Sequence, residues 1–536
     1  MRGINSITVL IILATSHAVS ADPYWVFFGK AAGWSPGDPV PQRYVAAVGR
    51  AGFGIRTVSR YFNAVSVDAE SFPERLAALA GVERIEPVRS FATRRDDEPS
   101  HGTSAADGLT GGTLSKTAEH LLDYGDSGAQ LDLLNVPALH DRGLSGRGVL
   151  IGVLDSGFDI GKTGALQHLD IVHTRNFITG TDDVATQSHG AYVLACIGGA
   201  KEGSFYGPAY NASFLLAATD HYATETRADE DRWVAAVEWC DSLGADIVSS
   251  SLVYNIFDTA EESYDKSDMD GKTSLVAQAA EIAFSHGILM VNSAGNEGDN
   301  SWGIITTPGD AEHVVAVGSV NVPDDGEPTV SYFSSRGPTA DGRIKPDFVA
   351  PGENVLVPYP DTADFYIRHR GTSLAAPLVA GVCALILECR PEWTPADVVR
   401  ALRETARDLG DAGPDNEYGW GLPDAAAACG FEPVTVGDVN DDAANTVRQR
   451  PFRLAIPFPN PFNAAVSIPV TVYRESNITA VILSAAGQQI SLLADGPMRP
   501  GRHLISWNAA GQASGAYFVR IESGGFTGTA RVLFVK

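Results

Sequence analysis

The chain has 536 residues, with 65 acidic against 39 basic side chains and a formal net charge of −26. Phosphate binding needs clustered positive charge, so this balance excludes nucleic acid as a partner. Hydrophobic residues make up 44% of the chain and charged ones only 19%, which rules out disorder by composition, and the length calls for more than one domain.

At the N-terminus Arg2 precedes an apolar run over 7–14, and the small-residue sequence Ala18-Val19-Ser20-Ala21 follows it. The run is too short to span a bilayer. The pattern is that of a cleaved secretory signal over 1–21, so a secreted, extracellular or cell-surface location is expected. The five cysteines (Cys196, Cys240, Cys383, Cys389 and Cys429) are odd in number and irregular in spacing. At least one thiol must therefore lack a partner within the chain; no repeated C-x-x-C metal pattern is present, and most of the cysteines read as small buried side chains.

Residues 22–95 read as a small α+β unit: a strand at Trp25-Val26-Phe27-Phe28, a helix over 43–48, a strand over 64–67, a helix over 72–79 and a closing strand over 82–87. A Gly/Ser/Thr/Asp-rich stretch without periodicity runs from 96 to about 116 and reads as an exposed, cleavable part of an activation linker over 96–130. From 131 to 430 short, almost wholly apolar runs at 149–154, 213–218, 246–248, 287–291 and 314–317 alternate with helical segments at 229–242, 272–285 and 395–406. Strands this apolar are covered on both faces, which predicts an α/β doubly wound parallel sheet with its crevice at the strands' carboxyl ends. Thr394, Pro395 and Asp397 mark the start of the last helix. A polar linker over 431–452 leads to 453–536, where short alternating strands separated by Gly, Pro and Asn predict an all-β module.

Four sites in the middle region carry chemistry. Asp155 follows the apolar run 149–154, His189 opens an apolar helical segment, Asn296 follows the run 287–291, and Ser373 stands at the mouth of a long apolar helix that tolerates Pro377 in its first turn. Singly, they read as a surface carboxylate, a buried histidine, a loop amide and a capping serine. Together they match a chemical need. A serine hydroxyl requires a base to take its proton, and the base requires a carboxylate to fix its tautomer. The negative oxygen of a tetrahedral intermediate requires a donor such as an amide.

Asp155-Ser156-Gly157, His189-Gly190, Ala294-Gly295-Asn296-Glu297-Gly298 and Gly371-Thr372-Ser373-Leu374-Ala375-Ala376-Pro377 resemble the motifs of the subtilisin-like serine peptidases. Phe333-Ser334-Ser335-Arg336-Gly337-Pro338, Lys345-Pro346-Asp347 and Ala350-Pro351-Gly352 extend the resemblance over 131–430. It implies endopeptide hydrolysis through an acyl-enzyme, in which Ser373 attacks, His189 is the base, Asp155 orients it and Asn296 lines the oxyanion hole. It also implies that Ser251, Leu252 and Val253 pair with the substrate, that proteins or peptides are the substrates, and that the chemistry needs no cofactor while allowing a structural calcium. Three positions depart from the family pattern: Ala191 replaces the usual Thr, Leu374 the usual Met and Val253 the usual Gly.

Residues 22–95 are similar in pattern to the inhibitory prodomain of these peptidases, which leaves by self-cleavage; a retained accessory domain is the alternative. Arg94-Arg95 is a candidate processing site. The end of the chain resembles the immunoglobulin-like sorting domain of the type IX secretion system, on Pro457-Phe458-Pro459-Asn460-Pro461-Phe462-Asn463, Ser506-Trp507-Asn508 and Ser514-Gly515-Ala516-Tyr517-Phe518. That likeness implies outer-membrane secretion machinery as a partner, against a β-sandwich that merely binds or spaces. Gly125-Asp126-Ser127-Gly128 mimics another protease nucleophile but reads as a turn. Asp268-Met269-Asp270-Gly271 and 438–442 mimic calcium loops but lack ligands at Lys266, Ala277 and Gln449, so they read as solvated acidic loops and no metal ligand is assigned. A catalytically silent surface binding protein and an esterase are the competing functions; an intact set of four residues opposes the first, and the lack of Gly-x-Ser-x-Gly around Ser373 opposes the second.

Overall fold

A computed structural model describes residues 22–29, 35–69, 73–87, 120–161, 163–221, 226–257, 263–360, 363–431, 451–454, 457, 462–472, 475–484, 488–499, 501–524 and 526–535. The expected signal at 1–21, the paired arginines 94–95, the acidic loop at 438–442 and most of the 457–463 motif lie outside the described residues. The chain divides into two compact units, 1–93 with 226–228, and 94–225 with 229–536.

The first unit carries a four-stranded antiparallel sheet in the order Gly54–Ser59, Ala64–Ala69, Asp22–Phe28, Val82–Pro87, with helices at Gln42–Arg50 and Pro73–Ala77. Val26, Phe28, Val48, Val65, Val67 and Leu76 form its core. The Gly54–Ser59 strand has no counterpart in the sequence reading. It lies at the sheet edge and buries only Ser59, so it lacks the apolar alternation by which a strand is recognised.

The second unit holds a seven-stranded sheet in the order Phe348–Glu353, Val315–Asn321, Leu289–Ser293, Ile247–Ser250, Leu150–Asp155, Ser213–Ala218, Asp170–Asn176, and every pairing is parallel. The chain enters at Leu150–Asp155, crosses to the edge strand at 170–176, steps back to 213–218 beside the first strand, and then passes to its other side at 247–250 and builds outward from there. The topology therefore switches direction beside Leu150–Asp155, which is where a doubly wound sheet opens its crevice. The Thr372–Cys389 helix has the length and hydropathy of a membrane span, but 94% of its apolar window is buried inside the fold. It packs on the strands at 247–250, 289–293, 315–321 and 348–353.

One boundary and one strand differ from the sequence reading. The stretch 96–130, expected to be linker throughout, already belongs to the packed unit over its last part: Tyr124, Ser127 and Gln130 are buried, and Gly125–Ser127 and Gly128–Asp132 are helical turns. Polar, Gly-rich composition hid this, because among its described residues only Leu122 and Tyr124 reach the apolar core while neighbours such as Ser127 are held by hydrogen bonds. The strand Asp170–Asn176 was also hidden; it is the sheet's far edge and is mostly half-exposed.

Residues 452–534 form two antiparallel sheets, one of three strands and one of four, around a shared core. The ring of Trp507 stands 5.0 Å from Tyr517 and 5.4 Å from Phe462, which packs 5.1 Å from Phe534.

Candidate active site

Asp155 is the last residue of the strand at the switch point and is fully buried. Its carboxylate receives His189 Nδ1 at 2.8 and 3.0 Å, and the backbone N–H of Ser156 at 2.7 Å. His189 begins the His189–Gly198 helix with its side chain 34% exposed. Because Nδ1 is bound to the carboxylate, Nε2 is left as the nitrogen that can accept a proton. Burial pulls the imidazole pKa down, but the charge and hydrogen bond of Asp155 outweigh it and hold the ring above the ordinary histidine value. The two segments meet at backbone distance: a Cβ on Gly190 would lie 2.2 Å from the carbonyl oxygen of Gly157, so only glycine fits.

Ser373 stands in the first turn of the Thr372–Cys389 helix, 8% exposed. Gly371 before it has φ 141°, and a Cβ there would fall 2.8 Å from Ser373 Oγ and 3.9 Å from Asn296 Nδ2. Hydroxyl and amide thus face one small space, which the missing side chain keeps clear. The exposed Asn296 is held by Thr372, whose N–H and Oγ1 donate to Asn296 Oδ1 at 2.9 and 3.0 Å. With its oxygen pinned, the amide presents its NH2 toward Ser373.

The Phe333-Ser334-Ser335 segment holds the Asn296 loop in place. Ser335 N–H donates to Gly295 O at 3.0 Å, Ser335 Oγ accepts from Glu297 N–H at 3.0 Å, and Gly298 N–H donates to Phe333 O at 2.8 Å. Thr372 and Ser335 stand in motifs quoted from the sequence, but the reading gave neither a role; the fold supplies their roles as supports of Asn296 and its loop. Ser251 Oγ donates to the carbonyl oxygen of Ser373 at 2.9 Å, and Asn292 Nδ2 donates to Leu252 O at 3.0 Å. The segment Ser251, Leu252, Val253 therefore leaves the end of Ile247–Ser250 tied to the Ser373 turn, with Leu252 and Val253 half-buried.

Leu374 is buried beside Ser373, and Met269 and Met290 are buried in the fold. With no sulfur next to Ser373, peroxide is expected to leave turnover unchanged; rapid loss with sulfoxide mapped near the site would contradict this.

The decoy motifs resolve as structure. Ser127 donates to Tyr124 O at 2.8 Å and accepts from Tyr206 N–H at 2.9 Å. Asp268 accepts from Asp265 N–H, and Asp270 from the N–H groups of Lys272 and Thr273. Among the described residues no group of three or more His, Cys, Asp or Glu side chains is placed to hold a metal.

The model of the subtilase family, Peptidase_S8, matches residues 146–421, a stretch that holds Asp155, His189, Asn296 and Ser373. The chain belongs to the subtilase family. Serine protease AprX of Bacillus subtilis (strain 168) is 32% identical over 309 residues, which span 53% of this chain and 66% of that protein. Subtilisin BL of Lederbergia lenta is 30% identical over 299 residues, 55% of this chain and 96% of that one. The crystal structure of MycP1 from the ESX-1 type VII secretion system superposes with a TM-score of 0.47 and 23% identity, over 60% of this chain and 89% of that one. The matched stretch of this subtilase stops short of both the N-terminal α+β unit and the C-terminal sheets.

Proposed function

We propose that this subtilase is a secreted serine endopeptidase. The observation that carries the reading is two pairs whose helices, His189–Gly198 and Thr372–Cys389, pack together: Asp155 grips His189 by two oxygens, while Ser373 Oγ and Asn296 Nδ2 face the same space at Gly371. In the proposed reaction His189 Nε2 takes the Ser373 proton as Oγ attacks the scissile carbonyl, and the Asn296 amide donates to the resulting oxyanion. His189 then gives its proton to the leaving amine, and water repeats the sequence in reverse to release the acid. Side chains alone supply this chemistry.

Residues 22–95 act as an inhibitory prodomain, a reading supported by their position ahead of the peptidase domain and by a sheet with its own core. Residues 453–536 act as an immunoglobulin-like sorting domain for type IX secretion machinery. The support is that the motif residues Phe462, Trp507 and Tyr517 cluster between two antiparallel sheets.

The experiment is a fluorophosphonate probe. It is expected to label Ser373, located by peptide mapping, and to stop casein hydrolysis; labelling elsewhere, or casein cut by fully labelled protein, would sink the assignment. The pH profile gives a second measurement. The base must be neutral to act, and the His189 pKa is raised, so the acid limb of kcat/KM is expected above the ordinary value of 6.5. Asp155→Asn removes the raising influence and leaves the burial, so its limb should move to lower pH as kcat falls. An unshifted limb would remove Asp155 from the role.

A further inference from the structure

Cys389 ends the long Thr372–Cys389 helix, and Cys429 caps the short Ala425–Ala428 helix packed against it. Both are free thiols in one buried core cluster, and Arg390, next to Cys389, reaches across the same junction to donate to Cys429 O at 2.7 Å. Both thiols are buried, at 4% and 1% exposure. We infer that Cys389 and Cys429 are a disulfide-forming pair that staples the end of the peptidase domain.

The chemistry of Cys389 differs from that of the other cysteines. In the folded reduced chain the two thiols act on each other: the Cys429 hydrogen bond and the Arg390 charge hold Cys389 below its ordinary range, and the same hydrogen bond, with burial, raises Cys429. Burial pushes Cys383 up to about 12 and raises Cys196 and Cys240 as well. The oxidant is a disulfide, either a small molecule such as oxidised glutathione or a protein. Cys389 thiolate attacks one of its sulfurs and expels the first thiolate; Cys429, losing its proton, then attacks the mixed disulfide at the Cys389 sulfur and expels the second. One S–S bond forms and the oxidant leaves as two thiols. Since both sulfurs are buried, closure belongs to folding, and the folded reduced protein reacts slowly. The pairing does not depend on export, which decides only where the oxidant is met.

The ring so closed contains groups that support the site. Arg403 binds Asp347, Gly337 N–H donates to Asn416 O at 2.9 Å, and Val349 N–H donates to Gly421 O at 3.0 Å. Fixing its two ends restrains the loop that braces the Phe333–Pro338 segment and the Phe348–Glu353 strand.

The test uses the full chain carrying Ser373→Ala to prevent self-digestion, refolded with oxidised glutathione. Alkylation in denaturant is expected to find three thiols rather than five, with one crosslinked peptide joining Cys389 to Cys429. Reduction should lower the melting temperature of the peptidase domain by about 5–10 °C, a difference lost in Cys389→Ser and kept in Cys383→Ser. Five free thiols after oxidation, or a link through any other cysteine, overturns the pairing. A correct link that leaves the melting temperature unchanged overturns the staple. Thiol count and peptide map decide on the unaltered cysteines, so a variant that fails to fold does not leave the question open.

Discussion

Replacing Ser373 by alanine is expected to lower kcat by about a million-fold, and adding His189→Ala to it should cost almost nothing more. The size is that known for subtilisin, a member of the same family, and is carried over from it. The lack of additivity has a structural reason here. His189 Nδ1 is committed to Asp155, so in the reaction proposed above its one remaining nitrogen serves the proton of Ser373 and has no task when that hydroxyl is gone. What survives is catalysis by the oxyanion donors and by substrate positioning, because Asn296 is held by Thr372 and the 295–298 turn by Ser335, neither of which depends on the hydroxyl. Steady-state hydrolysis of a peptide substrate by the two single variants and the double variant makes the measurement. Losses that multiply would mean that the two residues act independently, and the reaction proposed above would fall. Asn296→Ala in the intact enzyme probes the surviving part, with an expected loss of about 100- to 1000-fold, again the size known from subtilisin.

The second large effect concerns stability. Lys345 and Asp347 are 2% and 4% exposed, and Lys345 Nζ donates to Asp347 Oδ2 at 2.7 Å and to Val314 O at 2.6 Å. Asp347 also receives Arg403 at 2.7 Å and the N–H of Ala316 at 3.0 Å. Burial pushes the Asp347 carboxyl pKa up, but the charges of Lys345 and Arg403 outweigh it and hold the group below its ordinary value. Removing one partner leaves a buried charge uncompensated, so Asp347→Asn or Lys345→Met is expected to destabilise the peptidase domain by about 3–5 kcal/mol. Replacing both by apolar residues of similar size should restore much of that, since Arg403 is partly exposed and can turn to solvent. The urea midpoint of the domain's unfolding, read for each variant, decides. Because the folded pKa of Asp347 is lowered, its stabilisation is present at neutral pH and is lost only as the pH falls below the ordinary carboxylate range. Asp347→Asn should therefore flatten the acid side of the stability profile.

The pair also shows where sequence reading stops. Lys345-Pro346-Asp347 was visible as a motif, but its partners lie in other elements: Val314 and Ala316 at the start of one strand, and Arg403 on a distant helix. Nothing in the local text says that these charges are buried. The parallel sheet, in contrast, was legible strand by strand in its interior, because strands covered on both faces must be apolar throughout, as at Leu150–Asp155 and Ser213–Ala218. The edge strands Gly54–Ser59 and Asp170–Asn176 were not, since an edge position relaxes that demand.

For the candidate site the division is sharper. The sequence alone determined which residue types are present and that each follows an apolar run or opens an apolar helix, because such side chains need a rigid element behind them. Only the tertiary structure decided that Asp155 and His189 touch and that Ser373 and Asn296 share one space. Their separation in the chain carries no distance information, and the strand order of a doubly wound sheet is what brings its carboxyl-end loops together.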